Sequence, residues 1–278
     1  MKNILILEFK NCIANVKFKI VLMVLLLMSI LGYLVNCYSS YKLPLSQVRG
    51  AYEVSLIQGI QSSNILGIMI VFIPLLSNIV YSDSYYVDSH TGVYKNIITR
   101  VNKRHYIISK AIVILTVTFF VFFIPLLLNQ LLCLITYPVE GIDHNYCFPA
   151  YDIGYQNYTA NWLFELTRFN NPFLYNVIYM IIISIFASLF GLIGYIISLI
   201  YNKKRFIIVI APFILNIVIE IFIDILGRIF NFESYRYVIS TFFRPSTASI
   251  YVLLFYIITI LIINILILTK NSNNETII

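Results

Sequence analysis

Apolar residues in this chain arrive in blocks of membrane-spanning length, and that spacing constrains the fold more than any motif does. A helix that crosses a bilayer needs roughly 17–25 mostly apolar residues. Six segments qualify, at about 18–38, 64–82, 110–137, 173–201, 206–227 and 248–269. With 60% apolar residues, 11% charged and a mean hydropathy of +0.88, the chain lies outside the make-up of soluble domains. The expected fold class is an all-α polytopic membrane protein, with residues 1–278 forming a single transmembrane domain. The third and fourth blocks exceed a minimal span and are expected to tilt or protrude. No long hydrophilic stretch separates the blocks, so a catalytic domain would have to come from another chain.

The net charge of +7 does not point to nucleic acid, because the basic residues sit beside the spans. With six spans and an inside N-terminus, thirteen of the nineteen Lys and Arg residues fall inside, which selects cytoplasmic termini. Five of them, Lys95, Arg100, Lys103, Arg104 and Lys110, lie in one hydrophilic island over 81–110, between the second and third spans. The N-terminal segment interleaves Ile4, Leu5, Leu7, Phe9, Ile13 and Val16 with Lys10 and Lys17, which predicts a helix lying in the membrane interface.

Outside, residues 39–63 read as a short polar loop. Residues 138–172 read as a longer loop, dense in Tyr and Phe and carrying Glu140, Asp143, Asp152 and Glu165 against the single base Arg168. Aromatic residues favour the membrane boundary, so this loop either lies on the outer surface or forms an acidic vestibule for a cationic or amphipathic substrate. Cys37 and Cys147 both fall on that side, where a disulfide would be chemically allowed, although nothing in the spacing demands one.

Two spans stand out. In the fourth, Ser184, Ala187, Ser188, Gly191, Gly194 and Ser198 recur at helical spacing, which predicts a close packing face. In the fifth, Asn216, Glu220, Asp224 and Arg228 recur every four residues along one side. Ionisable groups in a span face a cavity or a partner, so Glu220 and Asp224 either line a path or form a structural ion pair with Arg228. Residues 228–247 alternate apolar pieces with charges, as a segment dipping into the outer leaflet would.

The sequence carries no HExxH, GxSxG, P-loop or paired CxxC, and His90, His105 and His144 lack metal-ligand spacing. The chain therefore shows neither a catalytic site nor a nucleotide engine of its own.

The layout resembles the ABC-2 type permeases, the six-span membrane subunits of ATP-binding cassette exporters. The likeness covers nearly the whole chain. Its local core is an acidic residue, Asp88, then Thr91-Gly92, the apolar pair Ile97-Ile98, and Arg100, Arg104 and Lys110 before the next span. The family more often has Glu at the place of Asp88, and Gly before Thr rather than after. The resemblance implies that the island is a coupling helix seated on an ATPase subunit, with Asp88, Gly92, Ile97, Ile98, Arg100 and Arg104 at the contact. It implies no cofactor in this chain, ATP and magnesium residing in the partner. It further implies a second permease copy or a related permease, contact with membrane lipid, and a multi-pass location in the cell membrane, the bacterial plasma membrane above all. The expected activity is export of a hydrophobic or amphipathic substrate, a peptide by preference. An ion-coupled transporter, a membrane enzyme using Glu220 and Asp224, and a non-transporting immunity or sensor protein are the rivals.

Overall fold

Asparagine caps set where several helices begin. Asn15 accepts from the Lys17 amide (3.1 Å), Asn102 from that of Arg104 (2.9 Å), and Asn171 from that of Leu174 (3.0 Å), with Pro172 at the first helical position. The computed structural model describes residues 2–44, 48–139, 163–229 and 250–273, and its regular structure there is helical throughout. In chain order the helices are α1 (Lys2–Ala14), α2 (Val16–Ser40), α3 (Ser63–Tyr81), α4 (Ser84–His90), α5 (Val93–Ile98), α6 (Lys103–Thr136), α7 (Glu165–Asn170), α8 (Pro172–Ile200), α9 (Arg205–Ile229) and α10 (Ile250–Asn273).

Among the described residues five helical stretches are long and apolar enough to cross a membrane: Val16–Ser40, Ser63–His90 (α3 run on into α4), Lys103–Thr136, Pro172–Ile200 and Leu253–Lys270. The block expected at 206–227 lies on α9, whose described apolar stretch, Arg205–Ile219, is shorter than a span. The 34 residues of α6 run roughly 50 Å at 1.5 Å per residue, well beyond a bilayer core.

The bundle is built around α8. Its small residues Ser184, Ala187, Ser188, Gly191, Gly194 and Ser198 are buried, against α3 and α6. A Cβ at Gly194 would stand 1.6 Å from Asn78 Oδ1, and one at Gly191 would stand 3.3 Å from Thr118 Oγ1. Ser82 Oγ donates to the Gly191 carbonyl at 2.8 Å. The packing face read from the sequence is thus the seam along which three helices meet.

One expectation, the polar outside loop at 39–63, needs correction, and α1 packs on a face that mixes charge with apolar groups. The side of α1 that packs inward is Leu5, Glu8, Phe9 and Cys12, whereas Leu7 and Ile13 are exposed, as is Val16 at the start of α2. Glu8 displaces a wholly apolar face because a lysine inside the bundle binds it. Residues 48–62 are not a polar loop lying outside. Ala51, Glu53, Val54, Ser55, Leu56 and Ile57 are buried, and the segment enters the bundle between α2, α6 and α8. Non-helical backbone survives at such depth only when protein groups satisfy it, and here side-chain amides do so. Cys37 is free. Cys147, most of the 138–172 loop and the proposed dip at 228–247 lie outside the described residues.

Candidate functional site

The hydrophilic island folds as a hairpin at one end of the bundle. After α3 the chain turns at Ser82 and Asp83 into α4, and Thr91 closes α4 by donating its amide to the Val87 carbonyl (2.9 Å). Gly92 then adopts φ +78°, reversing the chain into α5. That left-handed conformation is the one glycine alone adopts without strain, and here no neighbour crowds the position. Tyr94 turns inward from α5, its ring 5.4 Å from Tyr85 and 5.6 Å from Tyr106, and burial raises its hydroxyl pKa.

Beneath the hairpin lies a buried ion cluster. Lys110 is 0% exposed, and its Nζ stands 2.9 Å from Glu8 Oε2 and 2.9 Å from Asp88 Oδ2. The Tyr81 hydroxyl donates to Glu8 (2.8 Å) and that of Tyr106 donates to Asp88 (2.6 Å). Both tyrosine rings also face the ammonium, with centroids 5.2 Å and 5.1 Å away. Beside this cluster Asp83 binds Lys17 of α2 and Arg205 of α9. Three carboxylates therefore face three cations, with Lys110, Glu8 and Asp83 sealed from water and Lys17 and Arg205 reaching the surface, their side chains 25% and 48% exposed. Cys12, packed at the edge of the cluster, has its thiol pushed up to about 12, mainly by burial.

These contacts fasten the hairpin to α1, α2, α6 and α9. Its remaining side is tied to the turn after α8, where Asn202 Nδ2 donates to Ser89 Oγ at 2.6 Å and the Asn202 carbonyl lies 3.2 Å from His90 Nε2. Outward, Val93, Ile98, Arg100 and Arg104 are exposed. An open cleft of about 650 Å³ runs between α1 and α5, with Ile4, Leu7, Val93, Asn96 and Arg100 among its walls.

The six hairpin residues singled out from the sequence thus divide. Gly92 makes the turn, and Ile98, Arg100 and Arg104 face outward. Asp88 points into the bundle to Lys110 and Tyr106, and Ile97 packs partly against the core. The apolar pair is therefore split, with one member for the bundle and one for the surface. Glu220, Asp224 and Arg228 fall on the helix α9, but their side chains lie outside the described residues.

Sequence reasoning missed Glu8, Tyr81, Tyr106 and Lys110 as a set. The available signal was one acid within a basic N-terminal segment and one lysine at the head of an apolar run. Among the described residues no group of His, Cys, Asp and Glu is arranged to hold a metal ion. Comparison of the chain with protein-family models, curated proteins and solved structures returns no match.

Proposed function

We propose that this chain is the membrane-spanning permease subunit of an ATP-binding cassette exporter. It moves a hydrophobic or amphipathic substrate outward, by preference a peptide, using ATP hydrolysed by a separate subunit. The observation that carries the reading is the α4–α5 hairpin. It presents Val93, Ile98 and Arg100 on its exposed surface while ion pairs, buried at Lys110 and half-exposed at Arg205, bind its root to four other helices. A partner that pushes on such a tip moves helices rather than a loose loop.

In this reading Ile98 and Arg100 meet the ATPase, and Asp88 transmits force through Lys110 to α6 and through Glu8 to α1. Substrate preference for cationic peptides follows from the acid-rich 138–172 segment. A second copy of the chain, or a related permease, completes the transporter within the lipid of the cell membrane.

The test is gentle detergent extraction of tagged protein, followed by mass spectrometry of what co-purifies. An ATP-binding cassette subunit recovered with the native chain and lost with Ile98→Asp supports the reading. A chain that purifies alone, and transports on a proton gradient after ATP depletion, replaces it with the ion-coupled reading.

A further inference from the structure

At the end of the bundle opposite the hairpin, amide side chains from three helices grip the main chain of residues 50–59. From α2, Asn36 Nδ2 donates to the Val54 carbonyl and to Ser62 Oγ (3.2 Å). From α6, Asn129 Oδ1 accepts from the Leu56 amide (2.8 Å), while its Nδ2 donates to the Ser29 carbonyl (2.8 Å); Gln130 Nε2 donates to the Ala51 carbonyl (3.3 Å). From α8, the two N–H groups of Asn176 Nδ2 are shared among the Tyr52 carbonyl (2.9 Å), Ser55 Oγ (3.0 Å) and Gln130 Oε1 (2.7 Å), and its Oδ1 accepts from Gln58 (2.7 Å).

Four of these nine bonds reach the main chain of the segment, at Ala51, Tyr52, Val54 and Leu56. They are made well inside the helix ends. A Cβ at Gly32 would meet Leu56 Cδ1 at 2.6 Å, which seats Leu56 eight residues, or about 12 Å, inside the end of α2. The gripped segment carries its own tight turns, with the Gly59 amide donating to the Ser55 carbonyl at 2.7 Å. It is therefore an irregular peptide lodged between helices, its main chain held by neutral amides that water or another peptide can replace, while its buried Glu53 adds a charged group.

We propose that Asn36, Asn129, Gln130 and Asn176 form a binding site for peptide main chain, occupied here by residues 50–59 as an internal ligand. When that segment lifts, an outbound peptide takes the same amides. Side-chain amides that donate to carbonyls and accept from an N–H recognise any peptide backbone, which suits a carrier of varied peptides. The internal segment, being tethered, keeps the site filled at high effective concentration until something displaces it. This inference rests on the peptide-export reading for its purpose, although the binding itself needs no ATPase.

Cys133 reports on the site. It is 0% exposed and packs with Ala51, Val54 and Tyr137. The experiment uses the full chain in sealed phosphatidylethanolamine–phosphatidylglycerol vesicles, with Cys37→Ser and Cys147→Ser, and a membrane-impermeant maleimide added outside. Cys12, buried at the hairpin end, stays as an unlabelled control.

Leu56→Ala is expected to raise Cys133 labelling about tenfold by loosening the segment, and Gln58→Ala serves the same purpose should Leu56→Ala fail to fold. A free decapeptide with the sequence of residues 50–59 then restores protection saturably. The same peptide N-methylated at the position of Leu56 protects far less, because it cannot donate to Asn129. Labelling that rises with no protection by the peptide overturns the binding site and leaves only a lid. Labelling that changes only with global unfolding overturns both. Loss of ATPase co-purification with an intact peptide effect would sink the exporter reading and spare this one.

Discussion

The two ends of the bundle solve the same problem, polar groups among membrane helices, with different chemistry. At the hairpin end the polar groups are ions: Lys110 between Glu8 and Asp88, and Asp83 between Lys17 and Arg205. At the far end neutral amides close on a peptide segment, alongside the buried carboxylates Glu53 and Glu165, the latter paired with Arg168. A buried ion pair roughly breaks even against apolar packing, yet leaving one member alone costs about 3–5 kcal/mol. A neutral hydrogen bond is worth about 0.5–1.5 kcal/mol net, since water substitutes when it opens. Stranding a charge beside Lys110 is therefore costlier than opening one amide bond to residues 50–59.

The sharpest way to break this contrast is Lys110→Met. It strands two carboxylates and is expected to destabilise the chain by about 3–5 kcal/mol in mixed-micelle unfolding. Adding Glu8→Gln and Asp88→Asn should return most of that loss. A mild effect for Lys110→Met alone would mean that the cluster is hydrated rather than sealed. Asn176→Ala comes next, at about 1–3 kcal/mol, because it leaves several buried partners unbonded. Hydrogen exchange should place that loss within 50–62 alone; a loss spread over α8 would erase the distinction between the ends.

Gly194→Ala probes the seam common to both ends. The added methyl meets Asn78 and must displace it, for an expected cost of about 1–3 kcal/mol. Gly92→Ala is expected to be the mildest, at about 1–2 kcal/mol, because it meets no neighbour and only the left-handed backbone resists it. It should weaken hairpin-dependent partner binding more than global stability. Equal effects on the two would mean that the turn geometry carries no function.

Periodicity and composition made the helices legible, along with the small-residue face of α8 and the hairpin turn at Gly92. Each of these is a local property of the chain. The pairings were not legible. Glu8 and Lys110 lie 102 positions apart, and Gln58 and Asn176 lie 118 apart, so neither the ion cluster nor the amide grip on residues 50–59 leaves a local pattern. The charge of Asp88 and Lys110 was visible, but their direction was not. A basic island reads as solvated until a fold supplies the carboxylate beneath it. Residues 50–62 misled for the same reason. Their Ser, Gln and Gly content looks like a surface loop, and only the facing amides of Asn36, Asn129, Gln130 and Asn176 explain its burial.

The central claim is that the outward side of the hairpin, rather than its root, meets an ATPase. Photocrosslinking from position 98, with position 97 as the inward control, tests it most directly in cells making the full chain. The account expects an adduct with an ATP-binding cassette subunit from Ile98→benzoylphenylalanine and little or none from the same replacement of Ile97. Adducts from neither position, or crosslinking only to other copies of this chain, would contradict it.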